Sequence, residues 1–256
     1  MRGRRLLSLI TVLVTAATVL LTSSFVGPVA STEASAGGFP WRSDLDAAST
    51  AIPTAAQPTV QAQARSLLHV WSNNAKATAV AAVSTTCDGC DGQATTLQVV
   101  YFDGRGPVAA DNLSNAVSQC HLCAGPVASS AVSVQVVLVK QSNQLTVNNS
   151  AFALNLDCGT ATGEGQPPVC TTTSMALQFV LVGGSRRDLT ASAKDLVGQL
   201  QDILAGRLAT AAQAPAGQAQ ARIAAETGSI TDQLQAVLVQ DTGSTSVQRN
   251  IDIKVG

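Results

Sequence analysis

Cys87-Asp88-Gly89-Cys90-Asp91-Gly92-Gln93-Ala94-Thr95-Thr96-Leu97-Gln98-Val99-Val100-Tyr101-Phe102 sets a cysteine pair against an apolar run. Asp-Gly between the two thiols is a two-residue hairpin signal, because both central residues of a type I′ turn need positive φ. Directly opposed residues of an antiparallel pair have Cα atoms roughly 5.5 Å apart or less, within the ~4.4–6.8 Å usual for a disulfide. The stretch therefore predicts a hairpin with Cys87 and Cys90 bonded across its neck.

The pattern recurs. Leu97-Gln98-Val99-Val100, Val134-Gln135-Val136-Val137 and Leu177-Gln178-Phe179-Val180 share an apolar-Gln-apolar-Val order, and each follows a cysteine pair. The position seven before each first cysteine is apolar or small (Val80, Leu113, Ala151), and the position nine before is polar (Thr78, Asp111, Asn149). Self-similarity of this kind marks a repeated supersecondary unit. Asn149, Ala151, Ala153 and Asn155 alternate with Ser150, Phe152, Leu154 and Leu156, the period of two that a strand requires. Val132 to Val139 and Leu177 to Val182 are apolar on both faces, which fits strands covered on both sides. Asp103 to Pro107 and Lys140 to Gln144 read as turns between units. Gln98, Gln135 and Gln178 are amides inside apolar strands; buried amides need hydrogen-bond partners, so they are expected to fix strand register.

The third copy argues for disulfides over metal. Gly159 to Val169 separate Cys158 from Cys170, yet both cysteines keep their places at the strand ends. A bond across a neck tolerates such an insertion, whereas a two-cysteine metal knuckle depends on the tight loop. The expected pairs are Cys87–Cys90, Cys120–Cys123 and Cys158–Cys170. The alternative is a zinc ribbon of Cys87, Cys90, Cys120 and Cys123, with His121 as a spare ligand, or a thiol/disulfide-active pair, which would need a cysteine at a helix start.

Compartment bears on this choice. Met1 to Arg5 is cationic, and from Leu6 to Thr32 there is no charge, as in an export signal, expected over residues 1–36 with cleavage after Ala30 or Ala36. The same run is long enough to anchor in a bilayer if it is not removed. The expected location is the extracellular space or the outer face of the cell envelope, where cysteines oxidise. A net charge of −1 gives no reason to expect nucleic acid or an anionic membrane as partner. Membrane contact is expected only through an uncleaved N-terminal segment. Residues 37–65 hold Pro40, Pro53 and Pro58 among Ala, Ser and Thr and read as a spacer.

Beyond residue 185 the period changes. Leu189, Leu196, Leu200, Ile203, Leu204 and Leu208 recur at helical spacing with Asp188 as a cap, and Ile223, Ile230, Leu234, Val237 and Leu238 form a second stripe. Ser229 and Asp232 resemble a capping box, predicting a break at Thr227-Gly228. Ile251, Ile253 and Val255 alternate with Asn250, Asp252 and Lys254, the mark of an edge strand. Asp241-Thr242-Gly243 is similar to the loop of aspartic proteases, but those enzymes need two such carboxylates, so a helix end leading into a turn is expected. Neither Gly-x-Ser-x-Gly nor His-Glu-x-x-His occurs.

The units from Thr78 to Val182, and Asn149 to Cys158 with Cys170 to Val182 most closely, resemble uncharacterised secreted actinobacterial proteins with tandem Asn-x-Ala-x-Ala-x-Asn-x-x-Cys-x-x-Cys repeats followed by an apolar strand with Gln. The resemblance implies location and architecture; some of those proteins carry a zinc metalloprotease label, whose metal motif is absent here. The predicted fold class is α+β: a mainly antiparallel sheet of three cysteine-tipped hairpins over residues 66–184, with helices and a final edge strand over 185–256. A three-rung coil, which would bring the three glutamine strands together, is the alternative. The expected function is a non-catalytic structural or interaction protein with an unidentified protein or envelope partner and no cofactor; the alternative is metal or thiol chemistry at the paired cysteines.

Overall fold

The computed structural model describes residues 44–71, 74–121, 123, 125–140, 144–158, 170–185, 188–211 and 218–256. The expected export signal lies outside them. Strands β1 (Asp44–Ala51), β2 (Thr59–Val70), β3 (Ala75–Thr85), β4 (Asp91–Phe102), β5 (Val108–Gln119), β6 (Val127–Val139), β7 (Leu145–Leu156) and β8 (Cys170–Val182) are followed by helices α1 (Ala191–Ala211) and α2 (Ala219–Thr242) and by β9 (Ser246–Val255).

Odd and even strands separate into two sheets, a four-stranded one ordered β1-β3-β5-β7 and a five-stranded one ordered β2-β4-β6-β8-β9. Each strand from β1 to β6 pairs in parallel with the strand two places on. Only β9 is antiparallel, against β8. The chain thus winds as a coil of four turns, each laying one strand in each sheet. The fold is a mixed α/β one with parallel-dominated sheets.

This overturns the mainly antiparallel sheet of hairpins predicted from sequence. Two physical reasons stand out. Among the described residues Asp157 is the one non-glycine with positive φ, so at the first corner only Gly89 (φ 69°) is left-handed and the type I′ turn does not form. Moreover β4, β6 and β8 are buried on both faces, and such strands suit a sheet with a layer on either side. The coil supplies both layers: the four-stranded sheet on one side, the helices on the other.

The expected spacer over 37–65 instead contains β1 and the first half of β2. These make a coil turn that sequence matching missed, because Ser66 stands where later copies have glutamine and its corner carries no cysteine. That corner runs from Ile52 to Pro58, is framed by Pro53 and Pro58, and is closed by paired backbone bonds between Thr54 and Gln57 (3.0 and 2.9 Å).

The inner core between the sheets has an apolar end of Leu45, Val70, Val100, Phe102, Val108, Val137, Val139 and Val180, and an alanine-rich end of Ala51, Ala81, Ala94, Ala116 and Ala131. The small side chains let the sheets approach closely there. At Gly92 an added Cβ would stand 2.6 Å from the Val83 side chain, so a larger residue would push the corner open. The outer core buries Leu97, Val99, Val134, Val136, Leu177 and Phe179 under Val197, Leu204, Leu208, Ile223, Leu234 and Leu238. Each such side chain contributes about 1.5–3 kcal/mol.

The helices follow from the apolar stripes, with two local differences from expectation. Thr190 caps α1, its Oγ1 accepting from the Ala193 N–H at 3.3 Å, while Asp188 accepts from the Leu189 N–H and from Lys194 Nζ, both at 2.8 Å. The predicted break at Thr227-Gly228 is absent and α2 is continuous: Thr227 is buried in the same stripe as Ile223, Ile230 and Leu234, and its hydroxyl donates to the Ile223 carbonyl one turn back (2.7 Å). Gly243 (φ 65°) ends α2 and its N–H donates to the Val239 carbonyl, so Asp241-Thr242-Gly243 is a helix end.

Candidate functional site

The cysteines occupy one column of corners where the chain passes from the four-stranded to the five-stranded sheet. Cys87–Cys90, Cys120–Cys123 and Cys158–Cys170 are disulfide-bonded, with Cα separations of 5.4, 5.7 and 5.8 Å. They bridge corners between sheets and not the necks of hairpins. Cys90, Cys120 and Cys170 are almost wholly buried, and Cys120, Val127 and Cys170 form a small core with Cys123 and Cys158 beside it. Successive corners are tied together: the Gly125 N–H donates to the Asp88 carboxylate (2.6 Å), and the Cys120 N–H to the Leu156 carbonyl (3.1 Å). Cys87, Cys90, Cys120 and Cys123, the alternative zinc ligands, have their sulfurs consumed in two S–S bonds and present no thiolate in this state. His121 is exposed at the second corner.

The third corner carries one extra residue. Strand register aligns Leu113 with Ser150, whereas counting back from the cysteines aligned Leu113 with Ala151. Asp157, with φ 52°, absorbs the difference before Cys158.

Gln98, Gln135 and Gln178 stand in register on β4, β6 and β8, fully buried and pointing between the sheets. They form a ladder: the Gln135 amide donates to Gln98 Oε1 at 2.7 Å, the Gln178 amide to Gln135 Oε1 at 2.7 Å, and Asn250 of β9 continues it to Gln178 Oε1 at 3.2 Å. The same amide nitrogens reach backbone carbonyls of the opposite sheet, Gln98 those of Leu45 and Thr78, Gln135 those of Ala77 and Asp111, and Gln178 those of Ala110 and Asn148. One residue type thereby links strand to strand within a sheet and one sheet to the other.

A second set runs the other way. Asn112 of β5 donates to Asn149 of β7 (2.7 Å) and to the carbonyls of Ser133 and Leu177, and accepts from the Ser133 hydroxyl (2.6 Å). Hydroxyls complete the pattern: Ser118 donates to Ser129 and Ser129 to Thr85, while Ser174 bonds Ser114. Sequence reasoning found the glutamines through their repeat but missed the asparagine and hydroxyl columns, whose signal is the inward position of a period-two strand.

At the opposite corner the nearly buried Asp103 carboxylate lies 3.1 Å from Lys140 Nζ and 3.9 Å from His69 Nε2. His69 stacks on Trp71 at 4.3 Å and meets the Tyr101 ring edge-on at 4.7 Å. This cluster joins the ends of β2, β4 and β6 electrostatically.

The outer face of the four-stranded sheet has apolar character. Val80, Leu113, Val117 and Leu154 are half-buried on it and Phe152 is 47% exposed. Among the described residues no helix is long and apolar enough to cross a membrane. No known family, curated protein or solved structure matches the chain.

Proposed function

We propose that the protein is an exported, non-catalytic, disulfide-stapled structural or interaction protein of the cell envelope or extracellular space. The observation that carries this reading is that all six cysteines are consumed in three disulfides, each at a corner of the same coil; such bonds persist in oxidising compartments. The polar groups of the inner core support it, since Gln98, Gln135, Gln178, Asn112 and Asn149 are committed to holding strands together. The half-apolar outer face of the four-stranded sheet offers a flat surface for a protein or envelope partner.

Intact-mass measurement of material from culture medium and from cells, alkylated before and after reduction, tests it. The expected result is a chain in the medium, shortened at its N-terminus, that takes up alkylating agent only after reduction. Thiols that react before reduction, or retention in the cytoplasm, would sink the reading.

A further inference from the structure

The two ends of the coil differ. At the C-terminal end β9 closes the stack: the Ala151 N–H of β7 donates to the Asp252 carboxylate (2.9 Å), Asn149 reaches the Asn250 carbonyl, and the Gly256 N–H donates to the Thr172 carbonyl (3.0 Å). This strand also carries Arg249, Asp252 and Lys254, the charges by which an edge resists pairing. At the other end β1 and β2 are the outermost strands of the two sheets among the described residues. Twelve-residue β2 carries one Lys or Arg, Arg65, whose guanidinium is bonded to Asp202 of α1. Gln61 and Gln63 are exposed there and uncharged.

We infer that this end joins a second copy of the chain head to head, about a two-fold axis normal to the sheets. That operation keeps each sheet in its own plane and reverses strand direction. It sets β1 antiparallel to β1 and β2 antiparallel to β2 in one step, with the helices of both copies on one face. The acidic start of β1 then lies against the uncharged end of the same strand in the other copy.

Geometry favours this end over the other. The two sheets finish together at β1 and β2, whereas β9 extends only the five-stranded sheet. Two copies paired through β9 would leave their β7 edges separated by about two extra strand spacings, ~10 Å of unfilled inner core. The size also fits. Twelve-residue β2 spans ~40 Å and eight-residue β1 ~27 Å, and at ~10 Å of thickness for each sheet the edge presents ~670 Å² per copy, within the range that a stable interface buries on each side. Such a contact is isologous and stops at two copies, while the charged β9 ends keep dimers from adding further. This inference concerns assembly and stands whether or not the chain is exported.

Sedimentation velocity on protein made from the full-length reading frame, its N-terminus read by mass, tests it. The expected result is a dimer. Gln61→Lys with Gln63→Lys should halve the sedimenting mass and leave the thermal midpoint of the monomer unchanged, while Phe152→Lys, on the far side of the molecule, should leave the dimer intact. Hydrogen exchange gives a second readout: Ala62 to Leu68 amides should exchange more slowly as protein concentration rises. A monomer at every concentration overturns the inference. So does a dimer that survives the lysine pair but is lost in Phe152→Lys.

Discussion

Two cores lie on either side of the five-stranded sheet, and each buries a glutamine with a different fate. Between the sheets, Gln135 has the neighbouring glutamines and two carbonyls of the opposite sheet within hydrogen-bond reach. Between sheet and helices, Gln201 is 1% exposed on the α1 stripe with Val197, Leu204 and Leu208, and neither its Nε2 nor its Oε1 has a partner. The inner core tolerates polarity because repetition brings like residues into register, so each amide meets its copy one turn away. The helix layer has no such repetition, and the Gln201 amide there meets no matching group. A buried polar group is stabilising or costly according to its partners.

The most severe test of this contrast is Gln135→Leu. It removes the donor to Gln98 Oε1 and to the carbonyls of Ala77 and Asp111, while Gln178 Nε2 keeps the carbonyls of Ala110 and Asn148; at ~1–3 kcal/mol for each group left short of a donor the loss is about 4 kcal/mol, read as a lower urea midpoint. An unchanged midpoint would mean that the ladder does not set register. Next come the stapled corners. Cys158→Ser with Cys170→Ser opens a loop with a sequence separation of 12, and Cys87→Ser with Cys90→Ser one of 3. Loop entropy makes these about 3 and about 2 kcal/mol. Equal losses, or the reverse order, would show that local packing around buried Cys90 outweighs chain entropy.

The repeat, the disulfide partners, the strand segments β4, β6 and β8 and both helical stripes were legible because each rests on local chemistry or on spacing within one copy. Pairing was not. Asp88-Gly89 is a strong local hairpin signal, yet whether two strands joined by a short turn lie side by side or face each other across a core is decided by burial of both faces of β4, β6 and β8, a tertiary property. The turn chemistry agreed with either outcome. Likewise β1 and β2 looked like spacer because Pro53 and Pro58 suggested loose chain, whereas these prolines frame a corner whose backbone closes on itself between Thr54 and Gln57. The buried asparagines were visible only as alternation, since nothing local says which face of a strand turns inward.

In the helix layer the sign of the substitution reverses. Gln201→Leu keeps about the same volume and removes an amide with no partner, so the variant should be more stable by about 1 kcal/mol. Placed beside Gln135→Leu, it makes one chemical change give opposite signs on opposite faces of one sheet. A loss of stability in Gln201→Leu would show that the amide has a role that packing alone does not reveal.

Asp91 gives the smallest and most pH-sensitive form of the same contrast. It opens β4 on the face that also carries Leu97 and Val99 toward the helices, with its N–H donating to the Pro58 carbonyl (2.8 Å). Burial raises its carboxyl above the ordinary 3.8, and a side-chain hydrogen bond with Gln93 partly opposes this. Because the folded state holds the proton more tightly than the unfolded chain, the associated stability is fully present below pH 3.8 and is lost as pH rises through the raised value. Near neutral pH the ionised carboxylate is therefore a penalty that asparagine would not carry. Asp91→Asn should exceed the parent in urea midpoint at neutral pH, and the gap should close as pH falls into the ordinary aspartate range. A gap independent of pH would assign the effect to packing at the corner and remove Asp91 from the contrast between the two faces.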